Sequence, residues 1–425
     1  MKIGVIGVGT VGESVVKILQ ENKDILTART GKEMIVTKGV VKNLAKKRNV
    51  NIPLSDDVNS ILDDDDIDLV VELMGGVDEP YTVIKKALQK NKAVVTANKA
   101  LLAYHRYDLQ DVAGEIPFEF EASVAGGIPI ISSLREGLSA NNILSIRGIM
   151  NGTCNYILTR MSEEGIGYKE VLVDAKRLGY AEADETLDVG GFDAAHKLLI
   201  LASIAYNIDA KPEDILIEGV EKITLEEIEF AKEFGYKLKL LTIAKRIGDE
   251  VELRVHPAYI PQEEMIAKID GVMNGVSIVG DYVGETLYYG AGAGGDATAS
   301  AVVANIVDIA RNDKRSPMLG FRQEDKQKLR LKKSADIETK YYIRLQVKDE
   351  AGVLAKIATI LGKHNISIEK MVQKPLCNKE SDSNQVATLF IATHTCKESS
   401  TTSALSELEK QDSILKQPFL LRIEE

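Results

Sequence analysis

The N-terminal stretch constrains the chain more than any other. Met1-Lys2-Ile3-Gly4-Val5-Ile6 is a short apolar run, the pattern of a parallel strand buried on both faces. Gly7-Val8-Gly9-Thr10-Val11-Gly12 follows at once, and Glu13 to Asn22 then reads as a helix. A G-x-G-x-x-G run alone carries little information. Between a strand and a helix it has a defined job. Gly7 permits the tight turn, Gly9 lets a pyrophosphate approach the backbone, and Gly12 allows close helix–strand packing. The helix N-terminus, with Thr10 and Val11, then faces the anion.

Further strands follow in the same style. Met34 to Val41 reads as the second strand. In NAD enzymes such a strand ends in an acid that holds the adenosine ribose. Here Lys42-Asn43-Leu44-Ala45-Lys46-Lys47-Arg48 follows, with no carboxylate. Cations such as Lys42 and Arg48 suit a 2′-phosphate, which favours NADP or use of either cofactor; a solvated basic turn fits each cation equally well. Asp63 to Asp66 reads as an exposed acidic loop end. Ile67 to Met74 is the next strand and ends at Gly75-Gly76; Lys92 to Ala97 repeats the pattern and ends at Asn98-Lys99. Ligands of open α/β sheets sit beyond the carboxyl ends of strands, so Gly75 and Lys99 fall at the cofactor edge. Lys99 there suits contact with cofactor or substrate and solvation at a strand end equally. The expected fold class is α/β, opening with a Rossmann-type domain over residues 1–130.

Phe118 to Pro129 turns a buried strand into a glycine-rich loop carrying Glu121, a combination that can hold a small hard cation. From Pro129 the character changes to alternating strands and helices. An α/β substrate and dimerisation domain with an open sheet is expected over 131–296. It contains Asn151-Gly152-Thr153-Cys154-Asn155-Tyr156, a helix from Tyr168 to Leu178, and a polar loop from Gly179-Tyr180-Ala181-Glu182 through Asp188 to Gly191. That loop feeds a helix from Asp193 to Tyr206, free of Gly and Pro and rich in Ala and Leu. Asp193 and Lys197 share one helical face. A surface ion pair fits that spacing, and so does a proton-donating lysine held at the mouth of a buried helix. Strand-like runs follow at 215–220, 236–247 and 251–260. A second glycine loop, Tyr289 to Gly295 with Gly294 near its end, leads into a small-residue helix, Ala297 to Ala310. That helix is expected to pack back on the first domain and complete it over about 297–315.

Residues 316–339 are charged and read as a linker. From 340 to 425 the order is β-α-β-β-α-β, a ferredoxin-like α+β unit. The formal net charge of −11 argues against a nucleic-acid footprint. Three widely spaced cysteines, Cys154, Cys377 and Cys396, show neither a metal-ligand pattern nor a disulfide framework. No apolar run reaches the ~18 residues that span a bilayer. The N-terminus enters a strand directly, so no signal peptide and a cytoplasmic location are expected.

Together these pieces resemble homoserine dehydrogenase with a C-terminal ACT domain, without a preceding kinase domain. The resemblance rests on the first glycine run, on Thr96-Ala97-Asn98-Lys99, on Asn151-Gly152-Thr153-x-Asn155-Tyr156, and on Gly179-Tyr180-x-Glu182 with Gly191-x-Asp193-x-x-x-Lys197. It implies reversible NAD(P)-linked reduction of L-aspartate 4-semialdehyde to L-homoserine, in threonine, methionine and isoleucine biosynthesis. It implies Lys197 as general acid, Lys99 as second lysine of the site, and Asp193 and Asp188 as groups orienting Lys197 and substrate. Glu182 would take the substrate amino group, with Gly152, Thr153 and Tyr180 in the same site. Glu121 with the carbonyls of Val124, Gly126 and Ile128 is similar to the family's sodium site. The C-terminal module matches at Asp349-x-x-Gly352-Val353-Leu354 and Asn365-Ile366. Such modules pair edge to edge and bind a small amino acid, here threonine, or serve dimerisation alone; a homodimer or homotetramer is expected. Glu185, and Ala297 after Asp296, stand where prolines are common in the family. A nucleotide-sensing regulator and a deaminating amino-acid dehydrogenase are the competing readings. The first requires that Lys197 and Glu182 do not converge on the nicotinamide end.

Overall fold

The computed structural model describes residues 1–181, 184–311, 317–323, 328–375 and 386–425. The first six strands are β1 (Lys2–Ile6), β2 (Ile35–Val40), β3 (Leu54–Ser55), β4 (Leu69–Glu72), β5 (Ala93–Thr96) and β6 (Phe118–Glu119). They form one parallel sheet in the order β3-β2-β1-β4-β5-β6. The order reverses between β1 and β4, so the crevice outside their carboxyl ends is the place for a dinucleotide. β1, β4 and β5 carry Val, Ile and Leu through their centres and, Lys2 apart, are buried throughout. The helix Thr10–Glu21 presents Val15 and Leu19 to one face of this sheet. The helix Gly295–Arg311 joins the same core through Ala299, Val302, Val303 and Ile306, although it comes from much later in the chain. Its small residues let it lie close to the first helix.

The remaining strands are β7 (Ile143–Ile149), β8 (Leu216–Ile217), β9 (Tyr236–Ile247), β10 (Glu250–Pro261), β11 (Met273–Gly280), β12 (Gly284–Ala291), β13 (Arg330–Leu331), β14 (Glu338–Lys348), β15 (Ile368–Pro375), β16 (Val386–Thr393), β17 (Cys396–Lys397) and β18 (Phe419–Ile423). The strand expected at 215–220 is only the two-residue β8. The main path of the second sheet runs β12-β11-β7-β9-β10-β18-β14-β16-β15. The middle domain and the C-terminal module thus share one sheet. β18 joins them, pairing Ala258 with Arg422 and Tyr259 with Ile423 on one side and antiparallel to β14 on the other. Within the segment read as a linker, β13 pairs with the start of β10.

The C-terminal module has the expected order, with helices Val353–Lys363 and Glu398–Leu408. Its own core contains Ile343, Leu345, Ile357, Leu361, Leu389 and Leu408. At the junction Phe230, Tyr259, Tyr342 and Phe390 pack ring on ring. Arg422 is buried there and donates to Glu398 of the module and to Glu218 of the middle domain. Among the described residues no helix is long and apolar enough to cross a membrane.

Candidate active site

The glycine turn has the shape its sequence requires. Gly7 has φ +101°, and a Cβ there would lie 2.5 Å from the Leu73 carbonyl oxygen. A Cβ on Gly12 would lie 2.4 Å from the Gly7 oxygen, so the helix can approach the strand only as glycine. At Gly9 a Cβ would meet open space, the room a pyrophosphate needs beside the backbone. The N-terminus of the helix Gly295–Arg311 lies against the same turn, with Gly295 close to Thr10. Asp296 accepts from the Ser14 hydroxyl, which engages the acid standing near the expected proline. Gly294, with φ +116°, begins this second approach.

Arg48 lies at the same edge. Its Nε donates to the Val8 carbonyl and its Nη1 to the carbonyls of Asn43 and Lys46. It therefore folds the basic loop onto the glycine turn, with Lys42 exposed at the end of β2. Gly75 is exposed just beyond β4, where the Asn98 side chain donates to the Gly76 carbonyl.

A cavity of about 630 Å³ joins the two domains. It is lined by Val11, Lys99, Gly126, Gly152, Thr153, Tyr180, Asp188, Asp193, Lys197 and Gly294. These residues come from both glycine loops and from two helix starts of the middle domain, segments that lie far apart in the sequence. Asp193 is its hub. One oxygen accepts from Lys197 Nζ at 2.8 Å and from Asn151 Nδ2 at 3.0 Å; the other lies 3.0 Å from Lys99 Nζ. Burial alone works to raise the Asp193 carboxyl. Lys197 and Lys99 outweigh it and hold the group well below the usual carboxylate range. Lys197 also donates to the Met150 carbonyl at 2.6 Å. Among the described residues that leaves one of its three N–H donors for a ligand. Lys99 is the first residue of the helix Lys99–Ala113, so the Asp193 carboxylate ties the cofactor domain to the substrate domain.

Asp188 is held from the same anchor. Asn151 Nδ2 donates to it at 2.9 Å, and burial raises its carboxyl above the ordinary value. Thr153 donates through its hydroxyl to the Tyr180 carbonyl. Glu182 lies outside the described residues. Glu185, one of the departures from the expected loop, pairs with Lys176 at 2.6 Å.

Sequence reasoning missed Asn151 and Met150. Asn151 caps the helix Gly152–Glu164 by accepting from Cys154 N, and its amide nitrogen bridges the two aspartates. An Asn just before a helical run is a capping signal, but its second task depends on a distant chain segment. Cys154 is buried, donates to the Asp188 carbonyl, and its thiol is pushed well up by burial and by Asp188. It is not a nucleophile in waiting.

Residues 129–307 match the homoserine dehydrogenase family model, and residues 7–117 match the homoserine dehydrogenase NAD binding domain. Over 424 residues the chain is 54% identical to homoserine dehydrogenase from Helicobacter pylori, covering 100% of this chain and 99% of the relative. The chain belongs to the homoserine dehydrogenase family. It is an NAD(P)-dependent oxidoreductase with an ACT domain, matched at residues 341–412. Homoserine dehydrogenase from Bacillus subtilis is 38% identical, with coverage of 100% and 98%. The crystal structure of a homoserine dehydrogenase from Thiobacillus denitrificans superimposes with a TM-score of 0.93 at 40% identity, covering 100% of this chain and 98% of that one. A hyperthermophilic archaeal homoserine dehydrogenase in complex with NADPH matches 74% of this chain and 98% of its own, with a TM-score of 0.62 and 25% identity.

Proposed function

We propose that Lys197 delivers the proton in the family reaction, the reversible NAD(P)H-linked reduction of L-aspartate 4-semialdehyde to L-homoserine. The observation that carries this is the arrangement around Asp193: two lysines on one buried carboxylate in the domain-joining cavity. The open cradle at Gly9 and the two helix starts beside it fit a dinucleotide. When bound, NAD(P)H supplies the hydride. Gly7, Gly9, Thr10, Val11, Gly12, Gly75 and Gly294 would line its place, and Lys42 and Arg48 are the cations that would meet a 2′-phosphate. Negative charge builds on the aldehyde oxygen as the carbonyl carbon is reduced. The Lys197 ammonium stabilises that charge and gives up its proton. Asp193 holds Lys197 and Lys99 at one point, so their positions are set before substrate arrives. Asp188, Gly152, Thr153, Tyr180 and Glu182 hold the amino-acid end of the substrate. Its charged groups match carboxylate and helix-terminus partners.

Glu121 with the Val124, Gly126 and Ile128 carbonyls would hold a structural Na⁺. Glu121 is buried, with its carboxyl raised by burial, and each oxygen accepts one backbone N–H, from Ile131 and Ser132. A bound cation would relieve that buried charge. Threonine would bind the ACT module at Asp349, Gly352, Val353, Asn365 and Ile366. Gln373 fixes Asp349, and Gly352 and Asn365 adopt positive φ at the two ends of one helix. Pairing of such modules would build a homodimer or homotetramer in the cytoplasm.

The test is oxidation of L-homoserine by purified protein with NADP⁺ or NAD⁺, for wild type and Lys197→Ala, with and without threonine. Turnover by wild type, loss of kcat by about 10²-fold or more in the variant, and retained NADPH binding are expected. Equal kcat in the two proteins would remove Lys197 from the chemistry.

A further inference from the structure

We propose that Glu72 is a positioning residue for this reaction, holding the Leu73–Gly76 turn and the start of the Lys99 helix in one register. Glu72 ends β4 at the carboxyl edge of the sheet and is fully buried. Its two carboxylate oxygens serve two different loops. One accepts from Met74 N at 2.6 Å, at the start of the turn beyond β4. The other accepts from the Thr96 hydroxyl at 2.6 Å, at the end of β5. The Thr96 oxygen in turn accepts from Asn98 N at 3.0 Å. Asn98 closes the ring: its side-chain nitrogen donates to the Gly76 carbonyl at 2.8 Å and its side-chain oxygen caps the helix by accepting from Leu101 N at 3.0 Å. The next residue is Lys99, the first of that helix, whose ammonium meets Asp193. Two loops at the cofactor edge are therefore stitched by one carboxylate.

A fully buried carboxyl is costly in an α/β core, where β4 is otherwise apolar. Burial pushes the Glu72 carboxyl up to about 7, against the hydrogen bonds from Thr96 and Met74, which work to lower it. An apolar side chain would pack there at no such cost, but it could not hold Met74 N and Thr96 Oγ1 together. Glu72 is not among the residues that line the cavity. It acts through Thr96 and Asn98, and a displacement of about 1 Å at a reacting group costs on the order of 10²-fold in rate.

The inference rests on the role given to Lys99, and the experiment separates the two. Homoserine oxidation is measured for wild type, Glu72→Leu, Glu72→Gln, Lys99→Ala and the Glu72→Leu/Lys99→Ala pair, with NADPH affinity by its fluorescence and thermal midpoints as a fold check. Glu72→Leu is expected to lower kcat by about 10- to 100-fold. Glu72→Gln keeps an acceptor for Met74 N and a partner for Thr96, and is expected within about threefold of wild type. In the Lys99→Ala background Glu72→Leu is expected to add less than about threefold, since residues acting as a unit are not additive. If Glu72→Leu does not fold, Thr96→Val takes its place in the cycle, because it breaks the same relay at the next atom. An equal loss of kcat from Glu72→Leu with and without Lys99 would overturn the proposal and leave Glu72 a general structural residue. Glu72→Gln as slow as Glu72→Leu would assign the effect to charge and overturn the relay. Lys99→Ala with wild-type kcat would bring down the Lys99 reading, and this one with it.

Discussion

Glu72 makes the stability of the cofactor domain depend on pH in a direction opposite to that of most carboxylates. In the unfolded chain its carboxyl ionises near the ordinary value of 4.5; in the folded protein burial moves this to about 7. Below 4.5 both states hold the proton and no difference arises. Between the two values the folded state keeps a proton that the unfolded state has lost. Stability therefore falls as pH rises through this window. The full displacement amounts to roughly 3 kcal/mol, in place by about pH 8. The perturbation that isolates it is Glu72→Gln, which keeps the shape and never ionises. Unfolding free energies of cofactor-free wild type and variant are measured by urea titration at about pH 5 and pH 8.5. The difference between the two proteins is expected to move in favour of the variant by roughly 2 to 3 kcal/mol across that range. Any constant offset from the amide itself cancels, because only the change with pH is read. Curves that stay parallel to within about 0.5 kcal/mol would refute the reasoning, since Glu72 would then ionise alike in both states.

Asp193→Asn removes the anion shared by Lys99 and Lys197; kcat for homoserine oxidation is expected to fall by about 10²-fold, with NADPH affinity changed far less. Because the Asp193 carboxyl lies below its ordinary value in the folded state, its contribution to stability is present at neutral pH. It fades only as pH falls below about 4, so acid titration of wild type should lose stability there more steeply than that of Asp193→Asn. Arg422→Met leaves the Glu398 and Glu218 carboxylates without their shared partner at the ACT junction. A loss of about 3 to 5 kcal/mol in urea unfolding is expected, together with weaker threonine inhibition if the module regulates through this contact. Cys154→Ser keeps a donor for the Asp188 carbonyl, and turnover within about threefold of wild type is expected; a loss of two orders of magnitude would point to thiol chemistry.

Much of the fold was legible because it rests on local rules. The strand–glycine turn–helix at the N-terminus, the long helix through Lys197 and the C-terminal β-α-β-β-α-β order each depend on residue spacing within one element or one turn. The spacing of Asp193 and Lys197 did not say whether the two lie in a surface ion pair or at the mouth of a buried helix. Tertiary burial decided between them, because the pair lies at a domain boundary and gains Lys99 and Asn151 as neighbours. Asn151 and Glu72 were not legible as site residues. Their partners lie tens of residues away, and only the register of β4 against β5 and the docking of separate helices bring them into reach.

The amino-acid order alone determined most of the element types and the glycine turn, since these follow from backbone sterics and periodicity. Three-dimensional packing decided which charges share one carboxylate. It also decided that the middle domain and the ACT module form one sheet through β18. Long-range contacts of this kind are set by whole surfaces fitting together, and no local stretch of sequence contains that information.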